Sequence, residues 1–329
     1  MHQFPVTNST LSAEHLALFL REKYSLSTET KCRITRAGIN DTYSVTDGTK
    51  KFVLRVYKLN WRSEKEIAEE IRLLAQLQDM GILVSYAIAD SAGNYVQTFD
   101  APEGLRFGVL FSYAEGRKII SFPAEMHFTI GEFMARLHKI TENQKIARTT
   151  YTPEVFLVNS LQYVAEFLPE ETEEMQYLQK TKIFLLAELA TAKIPELRQG
   201  IVHLDIWFDN LNITDDGAIT LFDFDFCGNG WLDIDIAYYL LMLHFVETKD
   251  DEIRTKSESF LAGYESITKL SAEEKRLLPA LGASLSIFYI GVNCQRFDNY
   301  SNQFLSQTYL RRYIIARIKK FIDFHALMG

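Results

Sequence analysis

The hydrophobic period of this chain changes twice along its length, and that limits the folds open to it. Three consecutive stretches, KCRITRA (31–37), DTYSVTD (41–47) and KFVLRVYK (51–58), alternate apolar with polar residues. Such a period of two belongs to half-buried strands. Asp47-Gly48 stands between the second and third, where residues that tolerate positive φ make a tight hairpin turn. SEKEIAEEIRLLAQLQDMG then reads as a helix running from a Ser63 cap to a closing Gly81. Its Ile67, Ile71 and Leu74 share one face. Two further strands are expected around 95–99 and 105–113, and residues 11–24 carry Leu16, Phe19 and Leu20 as a helical stripe ahead of the first strand.

Helical spacing then takes over. It covers 124–140, 153–168, 171–192 and most of the chain after Leu232, interrupted by one β-like island from Gly200 to Phe226. The order predicts an α+β protein: a small antiparallel-sheet N-terminal lobe over 1–112 and a larger, mainly helical C-terminal lobe over 113–329, joined near 112–118. A chain of 329 residues also exceeds what one hydrophobic core usually serves. The acidic runs PEETEEM and ETKDDE read as solvated helix ends.

Composition removes several function classes. Lys and Arg number 35 against 43 Asp and Glu, a net charge of -8, which leaves no overall electrostatic footprint for nucleic acid or an anionic membrane. Cys32, Cys227 and Cys294 are too widely and irregularly spaced for a disulfide framework and suit a reducing compartment. The opening MHQFPVTNST lacks a basic and apolar leader, and the longest apolar run, Ile236–Val246, is broken by His244 and too short for a bilayer. The expectation is a cytoplasmic protein without nucleic-acid or membrane partners.

The chemistry concentrates in HLDIWFDN (203–210), which sets a histidine, two aspartates and an asparagine among apolar residues. Buried charges need partners or a metal, so these side chains must face water or converge. LNI and AITLF flank Asp215-Asp216-Gly217, so the motif leads into a hairpin that ends at Asp223 and brings Asn210 and Asp223 side by side. Asn and Asp oxygens suit Mg2+, a hard ion that takes one or two protein oxygens and completes its shell with water and substrate phosphate. Asp205 stands where a carboxylate can orient a hydroxyl and accept its proton, and His203 can bond the loop backbone. A metal clamp and a positioned base are what phosphoryl transfer requires of a protein.

H-x-D-x-x-x-x-N at 203–210, together with LFDFDFCGNGWLDIDIA, resembles the aminoglycoside phosphotransferase and choline kinase family, whose members share a protein-kinase-like two-lobed fold. The second stretch is similar to type II homoserine kinases, and IFYIGVNCQRFDNY to bacterial stress-response kinases of the same family. The resemblance runs from about residue 30 to about 315. It implies an ATP- and Mg2+-dependent kinase with Asp205 as catalytic base, Asn210 and Asp223 as metal ligands, and Asp235 bracing the catalytic loop. In the small lobe it implies Gly38, Asn40 and Tyr43 of AGINDTYSV over the nucleotide phosphates and Arg55 on them. Glu70 is its partner, with Glu66 as the alternative. Ser112 and Tyr113 of FSYAEG would offer backbone groups to the adenine edge. Nucleotide would lie between the lobes.

The acceptor is expected to be a small hydroxyl compound carrying an amine, such as homoserine or an amino alcohol. Leu204, where the antibiotic-modifying branch usually has glycine, weakens an aminoglycoside reading. Trp207, Phe208, Trp231 and Tyr238 are candidate pocket walls, and Asp209, Asp225 and Asp233 would favour a cationic group. Asp225 is either a second metal ligand or a polar neighbour, and His138 reads as a helix-packing histidine. The alternatives are a bacterial Ser/Thr protein kinase of the stress-response type and a nucleotide-binding scaffold without turnover.

Overall fold

A computed structural model of the chain describes residues 4–296 and 305–328, the Ile315 side chain excepted. The FDNY end of IFYIGVNCQRFDNY (297–300) lies outside the described residues. The described residues fall into two compact units, 4–115 with Arg296, and 116–295 with 305–328.

The first unit is a five-stranded antiparallel sheet in the order β1-β2-β3-β5-β4, with β1 Lys31–Ala37, β2 Asn40–Asp47, β3 Lys50–Tyr57, β4 Val96–Ala101 and β5 Gly104–Ser112. Alternation along β2 turns Asp41, Tyr43 and Val45 to one face, where they are buried. There Tyr43, Val45, Leu54, Val56 and Leu110 form a core with Leu16 and Leu20 of helix α1 (Ala13–Tyr24). Asp41 on this face is fully buried between Lys58 (2.9 Å) and Arg106 (2.8 Å), an ion triad that the alternation of the strands does not disclose. Arg55 pairs in register with Thr42, and both point to the opposite face. That face meets helix α2 (Glu64–Asp79), whose N-terminus is fastened by a reciprocal Ser63–Glu66 capping box.

The second unit is mainly helical. Helices α3 (Ala124–Thr141) and α7 (Asp250–Ile267) cross at glycines: a methyl group on Gly131 would stand 2.1 Å from the Phe260 carbonyl oxygen, and one on Gly263 2.0 Å from that of Phe128. The helical stretch at 153–168 opens as a π turn, Glu154–Asn159, before α4 (Ser160–Ala165). α5 (Glu173–Ala190), α6 (Asp233–Val246) and α8 (Ala272–Gln295) follow, then α9 (Gln307–Tyr313) and α10 (Lys320–Phe324). The 236–246 run lies in the 14-residue α6, and the long apolar helix is α8, with 24 residues. Among the described residues it is the one helix long and apolar enough to cross a membrane, and 83% of its apolar window is buried inside the protein, as in a core helix.

The β island is two short antiparallel pairs, β6 (Gln199–Val202) with β9 (Gly228–Trp231), and β7 (Leu211–Ile213) with β8 (Ile219–Leu221). It extends past Phe226 because GNGW pairs as a strand although it shows no apolar alternation.

Candidate active site

The catalytic loop leaves β6 at Val202 and turns sharply at Leu204, whose φ of 68° lies in the left-handed region. A non-glycine residue there costs about 1–2 kcal/mol, so surrounding contacts must hold it. Three do. Asp235, near the start of α6, accepts the backbone N–H of His203 on one oxygen (2.8 Å) and that of Leu204 on the other (2.6 Å). The Tyr289 hydroxyl of α8 donates to the Leu204 carbonyl at 2.6 Å. The Leu204 side chain is fully buried, so its packing contributes as well. Asp235 is itself oriented by His138, whose Nε2 lies 3.1 Å away while Nδ1 meets the Tyr264 hydroxyl at 2.8 Å. His138 therefore packs between helices and also supports the loop brace.

His203 clamps the loop from inside. Its Nδ1 accepts the Asp205 N–H (3.1 Å), which leaves Nε2–H to donate to the Phe222 carbonyl (3.2 Å). Asp205 is half-buried, with both carboxylate oxygens engaged: Oδ2 accepts from Asn210 Nδ2 at 2.8 Å, and Oδ1 accepts the Tyr238 hydroxyl at 2.5 Å. The Asn210 amide also donates to the Asp205 backbone carbonyl (2.9 Å). Its nitrogen thus faces the carboxylate, and Oδ1 is the acceptor end left to face a cation.

The hairpin behaves as its sequence pattern predicts. Leu211 pairs with Leu221, and the Phe222 N–H donates to the Asn210 carbonyl (3.1 Å), so Asn210 and Asp223 emerge at the same end. Asp223 has φ 65° and opens a single 3-10 turn, Phe224–Phe226. Among the described residues no group of three or more His, Cys, Asp or Glu side chains is disposed to hold a metal ion by itself. Two hard-oxygen side chains on one edge fit instead a cation completed by substrate phosphate. Asp225 is buried, and its carbonyl accepts from Arg148.

In the first unit Arg55 pairs with Glu70 at 3.0 Å, the two side chains being 11% and 1% exposed. The Tyr57 hydroxyl also donates to Glu70, and the Phe111 ring lies 5.2 Å from the guanidinium. Glu66 is turned back to Ser63 by the capping box, so the helix partner of Arg55 is Glu70. Gly38 and Asn40 close the β1–β2 hairpin, the Gly38 N–H donating to the Asn40 carbonyl at 3.1 Å.

Two expectations need correction, and the backbone of a third residue is already engaged. Tyr43 is fully buried on the α1 face and donates to the Leu11 carbonyl, so it is core, while Thr42 occupies Arg55's face. The strand period hides this, because one residue of offset reverses the face. At Ser112 both backbone groups already have a partner within the protein. Its N–H donates to the Tyr86 carbonyl (2.8 Å) and its own carbonyl accepts the Ser85 hydroxyl (2.5 Å). Tyr113 is half-buried with its ring 5.0 Å from Lys51 Nζ. Finally, Asp209, Asp225 and Asp233 do not make an open anionic wall. Asp209 is ion-paired with Lys118 (2.7 Å), and Asp233 is fully buried, its carboxyl held well above the usual range by burial and then by the nearby charge of Glu274.

The sequence profile of the phosphotransferase enzyme family matches residues 32–270. A homoserine kinase of Sinorhizobium fredii is 26% identical over 282 residues, covering 84% of this chain and 83% of its own. Among solved structures, a microcompartment-associated aminopropanol kinase superposes with a TM-score of 0.77 at 22% identity, over 95% of this chain and 96% of its own. An amicoumacin kinase in complex with AMP-PNP, Ca2+ and Ami superposes with a TM-score of 0.78 at 21% identity, over 97% of this chain and 98% of its own. At these identities the two superpositions establish the kinase-like fold.

Proposed function

This chain belongs to the phosphotransferase enzyme family, and we propose that it transfers the γ-phosphate of ATP, with Mg2+, to a hydroxyl of a small amino-containing molecule. The observation that carries the reading is the Asp205–Asn210 contact at 2.8 Å, which holds the carboxylate and turns the amide nitrogen away from a cation. Asp205 orients the acceptor hydroxyl and takes its proton. The acceptor oxygen bonds to the γ-phosphorus as the bond to the β–γ bridging oxygen breaks, and ADP leaves. Asn210 and Asp223 would hold the divalent ion, which when bound neutralises phosphate charge. Arg55, held by Glu70, is assigned to the nucleotide phosphates. In a loose transition state little covalent work falls to the protein, so orientation and charge supply most of the rate.

The amine in the acceptor is argued from relatives, since Asp209 is paired with Lys118 and Asp225 and Asp233 are buried. Homoserine and aminopropanol, named for two of them, are small alcohols that bear an amine. The test is ADP release measured with homoserine, an aminopropanol, ethanolamine, choline, an aminoglycoside, a generic protein and no acceptor. Saturable release with one of the small amino alcohols is expected. Phosphorylation of protein serine or threonine with no response to the small alcohols would overturn the reading.

A further inference from the structure

Tyr238 read from sequence as a wall of the acceptor pocket, but its hydroxyl lies 2.5 Å from Asp205 Oδ1. We infer that Tyr238 is a positioning residue for the catalytic loop, holding the Asp205 carboxylate in its plane. The inference rests on the phosphotransfer reading of Asp205.

Three consecutive loop residues are held by three side chains from the helices behind them. Asp235 takes the N–H groups of His203 and Leu204, Tyr289 takes the Leu204 carbonyl, and Tyr238 takes the Asp205 side chain. Asp235 and Tyr238 are three apart in α6 and so share a face, one turn fixing the loop backbone and the next its functional group. The Tyr238 and Tyr289 rings pack against each other with centroids 5.1 Å apart, so neither hydroxyl can swing away without disturbing the other ring. With Asn210 on Oδ2 and Tyr238 on Oδ1, rotation of the carboxylate about its Cβ–Cγ bond breaks two hydrogen bonds.

The proton between Tyr238 and Asp205 belongs to the phenol. Tyr238 is 3% exposed, and burial first, then the charge of Asp205, holds its hydroxyl well above the ordinary phenol range. It therefore acts as a donor only. The outcome is a carboxylate fixed in direction, which suits a transition state that asks for orientation before proton removal.

The test compares Tyr238→Phe with Tyr239→Phe. Both remove one buried hydroxyl from the same helix, but that of Tyr239 lies 2.8 Å from His127 Nδ1 instead. The kcat and the KM values for ATP and acceptor are measured for both variants with whichever acceptor supports ADP release, and urea unfolding of each is followed in parallel. Tyr238→Phe should lower kcat about tenfold, the effect of losing one hydrogen bond to a charged group. Its KM for ATP should stay within about twofold of the parent. Tyr239→Phe should leave kcat and both KM values within about twofold of the parent while unfolding at a similar urea concentration to Tyr238→Phe. An unchanged kcat in Tyr238→Phe, an equal fall in Tyr239→Phe, or a fall in kcat matched by an equal rise in KM for ATP would each overturn the inference. Turnover retained by Asp205→Asn would instead refute the phosphotransfer reading itself. An inactive Asp205→Asn with an unchanged kcat in Tyr238→Phe would refute this inference alone.

Discussion

Replacing Asp205 by asparagine separates chemistry from architecture, because the structure shows how the new amide would sit. The carboxylate accepts the Tyr238 hydroxyl on one oxygen at 2.5 Å and the Asn210 amide on the other at 2.8 Å. An amide offers one acceptor and one NH2 group. The Asn210 nitrogen can only donate, so it must keep the oxygen, while the Tyr238 hydroxyl can turn its proton away and accept from the new NH2. Both contacts survive as neutral hydrogen bonds, and the stability lost is the difference between charged and neutral bonds, about 1 kcal/mol. The chemical loss is larger. A positioned base contributes roughly 10²–10⁴ in rate, or about 3–5 kcal/mol on the barrier. Asp205→Asn should therefore lose at least about a hundredfold in kcat, bind ATP within a few-fold of the parent by calorimetry, and unfold in urea with a ΔG only about 1 kcal/mol lower. A variant that keeps more than about a tenth of parent turnover would remove Asp205 from the base role. An activity loss matched by several kcal/mol of lost stability would show that the residue serves the fold.

Asp223→Ala removes the one anionic ligand assigned to the divalent ion, so ATP affinity measured with and without Mg2+ should become alike. A Mg2+ dependence equal to the parent's would move that role to Asp225. Glu70→Ala strands Arg55 without its partner and should lower stability by about 3 kcal/mol while raising KM for ATP. Glu66→Ala, which opens the α2 capping box and loses the 3.9 Å pair with Arg62, should cost about 1 kcal/mol and leave that KM unchanged. Equal effects of the two substitutions on KM would refute the Arg55–Glu70 pairing as the functional one. The last prediction concerns pH. Burial pushes His127, His244 and His325 down to about 4 from an ordinary 6.5. The unfolded chain then binds protons at a pH where the native state does not, so stability is full above 6.5 and is lost as pH falls through the window from 6.5 to 4. His244, packed edge-on against Phe321 and Phe324, offers the cleanest check. His244→Phe should flatten part of the fall in thermal midpoint across that window, and an unchanged slope would refute its burial as a neutral ring.

What the sequence alone determined is local. The period of two across 31–58, the Asp47-Gly48 turn and the Ser63 cap placed β1, β2, β3 and α2 because each depends on the conformational preferences of neighbouring residues. The hairpin between Asn210 and Asp223 was legible for the same reason, since its turn residues and flanking strands lie within a dozen positions of each other. Some local signals pointed the wrong way. Alternation identified β2 but left the sheet face open, and Tyr43 went to the core while Thr42 took Arg55's side. GNGW became a strand only through its pairing with β6. The remaining decisions were tertiary. Glu70 rather than Glu66 meets Arg55, Tyr238 reaches Asp205 across 33 residues, and Tyr289 reaches Leu204 across 85. No propensity encodes such contacts. They arise when helices pack at a fixed register and a buried polar atom must find a partner there, because leaving it unpaired costs on the order of 1–3 kcal/mol. That requirement, acting at the α6–α8 contact, is what assembles the surroundings of Asp205 from residues that carry no motif.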